Sequence, residues 1–149
     1  MSRACFRIDL EVTVAPEVAW VRLWDLRRHS EVIPLTRVTA DPPARVLAQA
    51  VEFRGRTGVG PLGFDDTMRV DQWRPPVDDE GGHAVVGKTG RVLGGRIVVD
   101  VDPVVTGSRV SWRQSVHLPW LPTRLQWLEP LAARAAAPGY RRVLRRLLA

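Results

Sequence analysis

The amino-acid sequence predicts an α+β protein in which a curved antiparallel sheet of about seven strands wraps around a long C-terminal helix. Several short stretches alternate between apolar and polar residues, which is the period of a half-buried strand. Turns rich in glycine or proline separate these stretches, so neighbouring strands must pair antiparallel. The last stretch, from Pro119 to Ala149, has the 3.6-residue period of an amphipathic helix.

The composition is that of one folded domain. A length of 149 residues is enough to bury a core, and 45% hydrophobic residues with six tryptophans exclude disorder. No apolar run approaches the roughly 18 residues of a transmembrane helix, and charged residues interrupt the N-terminal segment, so no signal peptide is expected. The single cysteine, Cys5, is typical of a reducing compartment. We therefore expect one domain over residues 1–149, located in the cytoplasm.

A strand and two short helices come first. Residues 6–14 alternate with a period of two and predict a strand with one wet face. Pro16 and Glu17 then begin a helix, because proline suits the first turn and an acidic side chain faces the positive end of the helix dipole. This helix ends near Leu26. A second helical turn from His29 to Ile33 stops before Pro34.

The middle of the chain reads as a series of strands. The predicted strands cover residues 45–54, 64–73, 83–93, 96–101 and 108–118. A glycine-rich turn is expected at 55–63 and a polar loop at 75–82. The predicted order is therefore a strand, two short helices, about six antiparallel strands and a long helix.

The C-terminal helix is expected from Thr123 to Leu148. Pro138 should kink it, because proline cannot donate a hydrogen bond to the carbonyl of Arg134, and Pro130 is a second candidate for a bend. Two apolar stripes oppose one basic arc: Leu125, Leu128, Ala132 and Ala135; Tyr140, Val143, Leu144 and Leu147; and Arg141, Arg142, Arg145 and Arg146. Most of the net charge of +6 therefore belongs to this helix.

One stretch near the N-terminus resembles a known superfamily. Residues 15–25, Ala-Pro-Glu-Val-Ala-Trp-Val-Arg-Leu-Trp-Asp, are similar to the first-helix pattern of the START-like (SRPBCC) helix-grip superfamily, although Ala19 stands where valine is usual. The order of elements extends this resemblance over nearly the whole chain. The superfamily includes polyketide cyclase/dehydrase proteins, lipid-transport proteins and plant pollen allergens.

Membership of this superfamily implies a hydrophobic cavity between the sheet and the C-terminal helix. It also implies a function that ranges from lipid binding to cyclisation. The superfamily has no common catalytic residue, so the resemblance assigns none to this chain.

Two nucleotide-binding motifs occur letter for letter but in the wrong context. Residues 82–89 match the phosphate-binding loop, and residues 58–63 match the dinucleotide fingerprint. Both motifs require a helix directly after the glycines, whereas strand-like alternation follows each of them here. The histidines, His29, His83 and His117, lack metal-ligand spacing. We therefore expect no nucleotide, no metal and no other cofactor.

Two polar residues share the parity of apolar neighbours in their predicted strands. Asp66 alternates with Phe64 and Met68, and Gln114 follows Trp112 by two residues, so both are predicted to point inward. We expect desolvation to raise the pKa of such a carboxyl group, which can then act as acid or base or hold a ligand hydroxyl. The alternative is structural: Asp66 caps a turn and Gln114 satisfies a backbone group.

Tryptophans also present two alternatives. Trp24, Trp112 and Trp127 either line a cavity or belong to an ordinary core, in which aromatic side chains are common.

The predicted function is the binding of a small hydrophobic or aromatic ligand, lipid-like or polyketide-like, between the sheet and the C-terminal helix. The predicted cavity residues are Trp24, Phe53, Phe64, Asp66, Met68, Trp112, Gln114, Leu125 and Leu128. One alternative is an enzyme of the polyketide cyclase/dehydratase type with Asp66 as the candidate catalytic group. Another is an adaptor whose arginine face binds an anionic membrane or nucleic acid.

The expected partner is thus a small hydrophobic ligand. No specific nucleic acid is expected, membrane contact is not favoured, and the sequence is compatible with a monomer or a homodimer.

Overall fold

The computed structural model describes residues 4–41 and 47–149. Its helical segments are α1 (Pro16–Leu23), α2 (Leu26–Val32), a 3-10 helix (Thr123–Leu128) and α3 (Glu129–Leu148). Its strands are β1 (Cys5–Val12), β2 (Thr36–Asp41), β3 (Glu52–Val59), β4 (Leu62–Arg74), β5 (Gly82–Thr89), β6 (Gly94–Val104) and β7 (Gly107–Ser115). The predicted α+β fold, a seven-stranded antiparallel sheet with a long C-terminal helix, is confirmed.

The strand order across the sheet is β1-β7-β6-β5-β4-β3-β2. Consecutive strands from β2 to β7 are neighbours, as short turns require. The first strand is the exception, because β1 pairs with β7 and not with β2. Helices α1 and α2 therefore carry the chain from one edge of the sheet to the other.

The core lies between the inner face of the sheet and the helices. In β1 the side chains of Phe6 and Ile8 are buried, whereas the residues on either side of each are exposed, as the period of two predicts. In α3 the buried side chains include Leu144 and Leu147. Each such side chain removed from water contributes roughly 1.5–3 kcal/mol to folding.

A hydrogen-bonded contact joins α1 to the end of α3. Nη1 of Arg22 donates to the main-chain oxygens of Leu148 at 2.7 Å and Ala149 at 3.0 Å. The last oxygens of a helix have no partner within the helix and lie at the negative end of its dipole, so a guanidinium there satisfies both.

A bulge in β4 changes which side chains face inward. Val70 pairs with Val86 and Gln72 pairs with Val85, so Asp71 is the extra residue. Strict alternation from Val70 would direct residue 73 outward. Because a bulge shifts the parity by one, Trp73 instead turns toward the inner face of the sheet.

Two predicted element boundaries in the first half of the chain are wrong. The strand expected at 45–54 is β3, which begins at Glu52; residues 42–46 lie outside the described residues, and 47–51 form no strand. Ala50 has a φ of 68°, a left-handed conformation that interrupts extended backbone there. The turn expected at 55–63 is mostly strand, because pairing with β2 and β4 keeps Gly55, Gly58 and Gly63 in the sheet. Strand β2 was not predicted.

The start of the C-terminal helix also differs from the prediction. Residues Thr123–Leu128 form a 3-10 helix, and α3 begins at Glu129 with Pro130 in its first turn. Proline is accepted there because the first turn of a helix needs no backbone donor. Pro138 lies within α3, which continues through it to Leu148. Neither this helix nor any other that the structure describes is long and apolar enough to cross a membrane.

Both glycine motifs lie in the sheet. Gly82–Thr89 is strand β5 itself, and residues 58–63 form the hairpin between β3 and β4. Strand β6 follows the first motif and β4 continues from the second, as the alternation of the sequence predicted.

Candidate functional site

A cleft of about 1100 Å³ opens between helices α1 and α2 and strands β2 and β4. The wall of this cleft is largely apolar and includes Trp20, Trp24, Val38, Ala40, Leu47 and Trp73. Asp25, Arg27 and Arg37 are among the polar residues at its edge. Binding sites for small molecules typically measure about 300–1000 Å³ and combine apolar walls with a few polar groups. The cleft is therefore slightly larger than this range and has the chemistry of a ligand site.

Tryptophan rings connect this cleft to the interior. The ring of Trp73 lies 4.8 Å from that of Trp20 and 5.3 Å from that of Trp24, measured between centroids. Trp24 in turn stacks at 6.2 Å on Trp112, whose ring is 6.4 Å from Tyr140 of α3. These separations lie in the range of favourable aromatic contacts. A continuous aromatic path thus runs from the cleft to the underside of α3.

Trp24 has an unusual polar atom for so apolar a position. Its indole N–H is buried and finds no acceptor within residues 4–41 and 47–149. Tryptophan N–H groups normally have a partner when they are buried. Trp24 is thus a polar donor held inside an aromatic cluster.

Gln114 is buried, and both ends of its side-chain amide form hydrogen bonds. Its Oε1 accepts a hydrogen bond from Nε1 of Trp112 at 3.2 Å, and its Nε2 donates to Oη of Tyr140 at 3.3 Å. Neither partner is a backbone group, so the alternative in which Gln114 satisfies a backbone group is not what the structure shows. The amide links the sheet to α3.

Asp66 forms a buried ion pair with Lys88. Oδ2 of Asp66 accepts a hydrogen bond from Nζ of Lys88, and the sulfur of Met68 lies 4.0 Å from the same nitrogen. The side chain of Lys88 is only 3% exposed and that of Asp66 15%. Asp66 therefore lies within β4 with a charged partner, and does not begin the strand or cap a turn as the structural alternative supposed.

The nine predicted cavity residues do not all lie together. Trp24 alone among them lines the cleft. Phe53, Met68, Trp112, Gln114 and Asp66 lie in the sheet, with Phe53, Trp112 and Gln114 buried. Phe64 is 37% exposed near the β3–β4 hairpin, and Leu125 and Leu128 are half-buried in the 3-10 helix. Trp127, considered for cavity or core, is 64% exposed and belongs to neither.

Sequence reasoning missed most of the cleft for identifiable reasons. Trp73 faces inward only because of the bulge, and Ala40 belongs to the strand that was not predicted. Lys88 was not among the predicted cavity residues. The signal was present: it alternates with Ala84 and Val86, two apolar residues on the inward parity.

The histidines lie in separate elements. His83 pairs with Asp100 at 2.6 Å, and His117 pairs with Glu129 at 2.9 Å. His29 in α2 has a pKa lowered by burial, although the carbonyl of Asp25, 2.9 Å from Nδ1, acts to raise it. Among the described residues, no three His, Cys, Asp or Glu side chains are arranged to hold a metal ion.

The sheet, the three helices and their order define a helix-grip fold. Comparison with protein-family models and with curated proteins gives no match. Among solved structures, the protein TTHA0849 from Thermus thermophilus is similar at 12% identity with a TM-score of 0.69, over 96% of this chain and 93% of that chain. Ara h 8.0201 is similar at 10% identity with a TM-score of 0.65, over 96% and 93%.

A third similar structure is the di-domain ARO/CYC StfQ from the steffimycin biosynthetic pathway. It matches at 14% identity with a TM-score of 0.69, over 97% of this chain and 50% of that chain. At such identities the likeness concerns the fold alone. These likenesses agree with the predicted fold.

Proposed function

We propose that the protein binds a small apolar or aromatic molecule in the cleft between α1, α2, β2 and β4. The observation that carries this proposal is the largely apolar wall of the cleft of about 1100 Å³, to which three mutually packed tryptophan rings contribute. Ring faces and edges of tryptophan favour planar, polarisable ligands, and each aromatic contact adds about 0.5–1.5 kcal/mol beyond the area it buries.

The proposal also includes the inner face of the sheet, where the cavity beneath α3 was predicted. The aromatic path from Trp73 through Trp24 to Trp112 supports this extension, since the three rings follow one another from the cleft toward α3. A ligand longer than one ring system would lie along this path. Similar folds include a protein named ARO/CYC from a biosynthetic pathway, which is compatible with ligands of this kind.

Binding is tested with the purified protein by native mass spectrometry and by titration with an apolar aromatic probe, 1-phenylbutane, followed by tryptophan fluorescence. We expect Trp73→Leu to weaken binding about tenfold, because it removes one ring from the wall. Trp120→Leu is the matched control, since Trp120 is 62% exposed and does not line the cleft. Equal affinities for the two variants, or no binding by the unaltered protein, would contradict the proposal.

A catalytic role of the cyclase/dehydratase type is the second candidate. It is supported by the Asp66–Lys88 pair, because a carboxylate largely shielded from water can accept a proton from carbon and return it to oxygen. Incubation with a synthetic linear poly-β-ketone thioester, followed by mass spectrometry for loss of water, tests this role. Asp66→Asn should abolish turnover and leave probe binding intact. Unchanged turnover in this variant would remove Asp66 from the mechanism.

A further inference from the structure

Lys88 differs from every other basic residue of the chain. It is the single lysine among 22 lysine and arginine residues, and its side chain is almost completely buried. Arginine presents a rigid planar fork, whereas lysine presents a compact ammonium with three donors on a flexible stem. A position that uses the rare residue and buries it requires an explanation beyond solvation of the surface.

Stability does not provide that explanation. Removing both charges from water is costly, and apolar residues of similar volume are often at least as stabilising as a buried ion pair. Apolar replacements would suit the surroundings, since Val70 and Val86 continue the same two strands on the inner face. The pair is therefore poorly explained as a device of folding alone.

The hydrogen-bonding capacity of the pair is also incompletely used. Oδ1 of Asp66 is buried and has no donor among the described residues. Nζ of Lys88 has three protons, and its contacts there are Oδ2 of Asp66 and the weak acceptor sulfur of Met68. One acceptor and at least one donor thus remain side by side. Buried polar atoms normally have partners, so the free acceptor and donor of the Asp66–Lys88 pair have the character of a binding site.

A row of residues that lie opposite one another on β2, β3 and β4 connects the Asp66–Lys88 pair to the cleft. Val38, which lines the cleft, lies directly opposite Gly55 in β3, and Gly55 lies opposite Asp66 in β4. Two strand spacings, about 9–10 Å, therefore separate the cleft from Asp66. A β-carbon added at Gly55 would meet only the methyl groups of Thr36 and Val38, at 3.8 and 3.9 Å. Gly55 therefore contributes no side chain between Val38 and Asp66 in this row.

We propose that the Lys88–Asp66 pair binds the oxygenated end of the ligand whose apolar part occupies the cleft. The ligand class is a carbonyl compound with a hydroxyl group two carbons away, including the enol form of a 1,3-diketone. Nζ of Lys88 donates to the carbonyl oxygen, and Oδ1 of Asp66 accepts from the hydroxyl group. This inference rests on the proposed function, because it requires a ligand in the cleft.

The experiment compares two probes that differ in their oxygens: 1-phenyl-1,3-butanedione and 1-phenylbutane. Affinities are measured by tryptophan fluorescence. In parallel, lysine labelled with ¹⁵N at Nζ gives one side-chain NMR signal, because the chain has one lysine. We expect the diketone to bind the unaltered protein at least about tenfold more tightly than phenylbutane and to shift the Nζ signal.

Three variants test which residues cause the preference for the diketone over phenylbutane. Lys88→Met should reduce it to within about twofold while phenylbutane affinity is retained. The double variant Lys88→Met with Asp66→Leu replaces the whole pair by apolar groups, so it tests the same loss without leaving a buried unpaired charge. Gly55→Val should obstruct the path and weaken the diketone selectively. Thr67→Val, on the opposite face of β4, is the matched control.

The outcomes separate this inference from the proposed function. If phenylbutane binds and responds to Trp73→Leu but the diketone has no advantage, or if the preference survives in both Lys88 variants, the pair is not the anchor and the cleft proposal stands. An unshifted Nζ signal at saturation with the diketone has the same meaning. If neither probe binds, both proposals are overturned.

Discussion

The side-chain amide of Gln114 connects two aromatic residues at the centre of the molecule. It accepts from the indole of Trp112 on its own strand and donates to the hydroxyl of Tyr140 on α3. Because Gln114 is only 4% exposed, water cannot replace a lost partner. Gln114 therefore links the sheet to α3 through specific hydrogen bonds, and does more than fill space in the core.

Replacing Gln114 by leucine should destabilise the protein by about 1–3 kcal/mol, because it leaves the indole N–H of Trp112 buried without an acceptor. Urea unfolding followed by circular dichroism measures the change. Tyr140→Phe should cost less in the Gln114→Leu background than alone, since the shared hydrogen bond is already gone. Strictly additive effects would contradict the direct link, and Gln72→Leu on an exposed position of β4 is the control.

At the scale of elements, α2 is a short helix whose position is fixed from both ends. Asp25 caps its start, because Oδ1 accepts from the main-chain N–H groups of Arg27 at 3.0 Å and Arg28 at 3.2 Å. Farther along, Oγ of Ser30 accepts from the N–H of Val38 in β2 at 2.8 Å. These contacts hold the rim of the cleft, since α2 and β2 form one side of it.

His29 gives α2 a pH dependence. Its pKa is lowered by burial from the ordinary value of 6.5, so the unfolded state binds a proton more readily than the folded state. The stabilising contribution is complete above pH 6.5 and is lost as the pH falls through the lowered pKa. We expect the free energy of unfolding to decrease with falling pH below about 6.5 and His29→Gln to reduce this slope.

Urea titrations of both proteins between pH 7.5 and about 5 measure the slope. His117→Gln is the matched control, because His117 is exposed. A slope that is the same with and without His29 would contradict the prediction.

At the scale of the whole molecule, charge is distributed unevenly. Arg142, Arg145 and Arg146 are exposed on α3, and Arg141 is half-buried. The outer face of the sheet instead has opposite charges side by side, such as Glu11 with Arg109 at 2.7 Å. Excess positive charge is therefore a property of the helix surface, which agrees with the sequence prediction. Such a surface favours non-specific contact with polyanions.

Changing Arg141, Arg142, Arg145 and Arg146 to glutamine tests the adaptor alternative. We expect any binding to anionic vesicles or to duplex DNA to weaken steeply with salt and to be largely lost in this variant, because phosphate contacts release counterions. Cosedimentation at two salt concentrations is the measurement. Probe binding in the cleft should stay unchanged, and binding that is absent or independent of salt would exclude an adaptor function of this face.

Much of the fold could be predicted because its signals are local. The alternation in residues 6–12, the turn residues between strands and the stripes of α3 each depend on neighbours a few positions away. Errors arose where pairing overrode local preference. Gly55 and Gly58 read as a turn, yet hydrogen bonding to neighbouring strands holds them in strand β3.

Less of the candidate site could be predicted, because the site depends on contacts between distant segments. The first-helix motif led to Trp24, and strand parity led to Asp66. The meeting of Trp24 with Trp73 required the bulge in β4 and the packing of α1 on the sheet. Likewise, the separation of Asp66 and Lys88 along the chain does not show that their strands pair in a register that brings the two side chains together.

The sequence by itself determined the α+β class, the antiparallel arrangement of most of the strands, the long basic helix and the inward parity of Asp66. These follow from periodicity, turn chemistry and charge, which are properties of short segments. Only the tertiary structure decided that β1 lies beside β7, that the cleft opens at α1 and α2, and that Asp66 pairs with Lys88 and lies opposite Gly55. The physical reason is that register and packing depend on non-local burial and hydrogen bonding, which many different sequences satisfy in the same way.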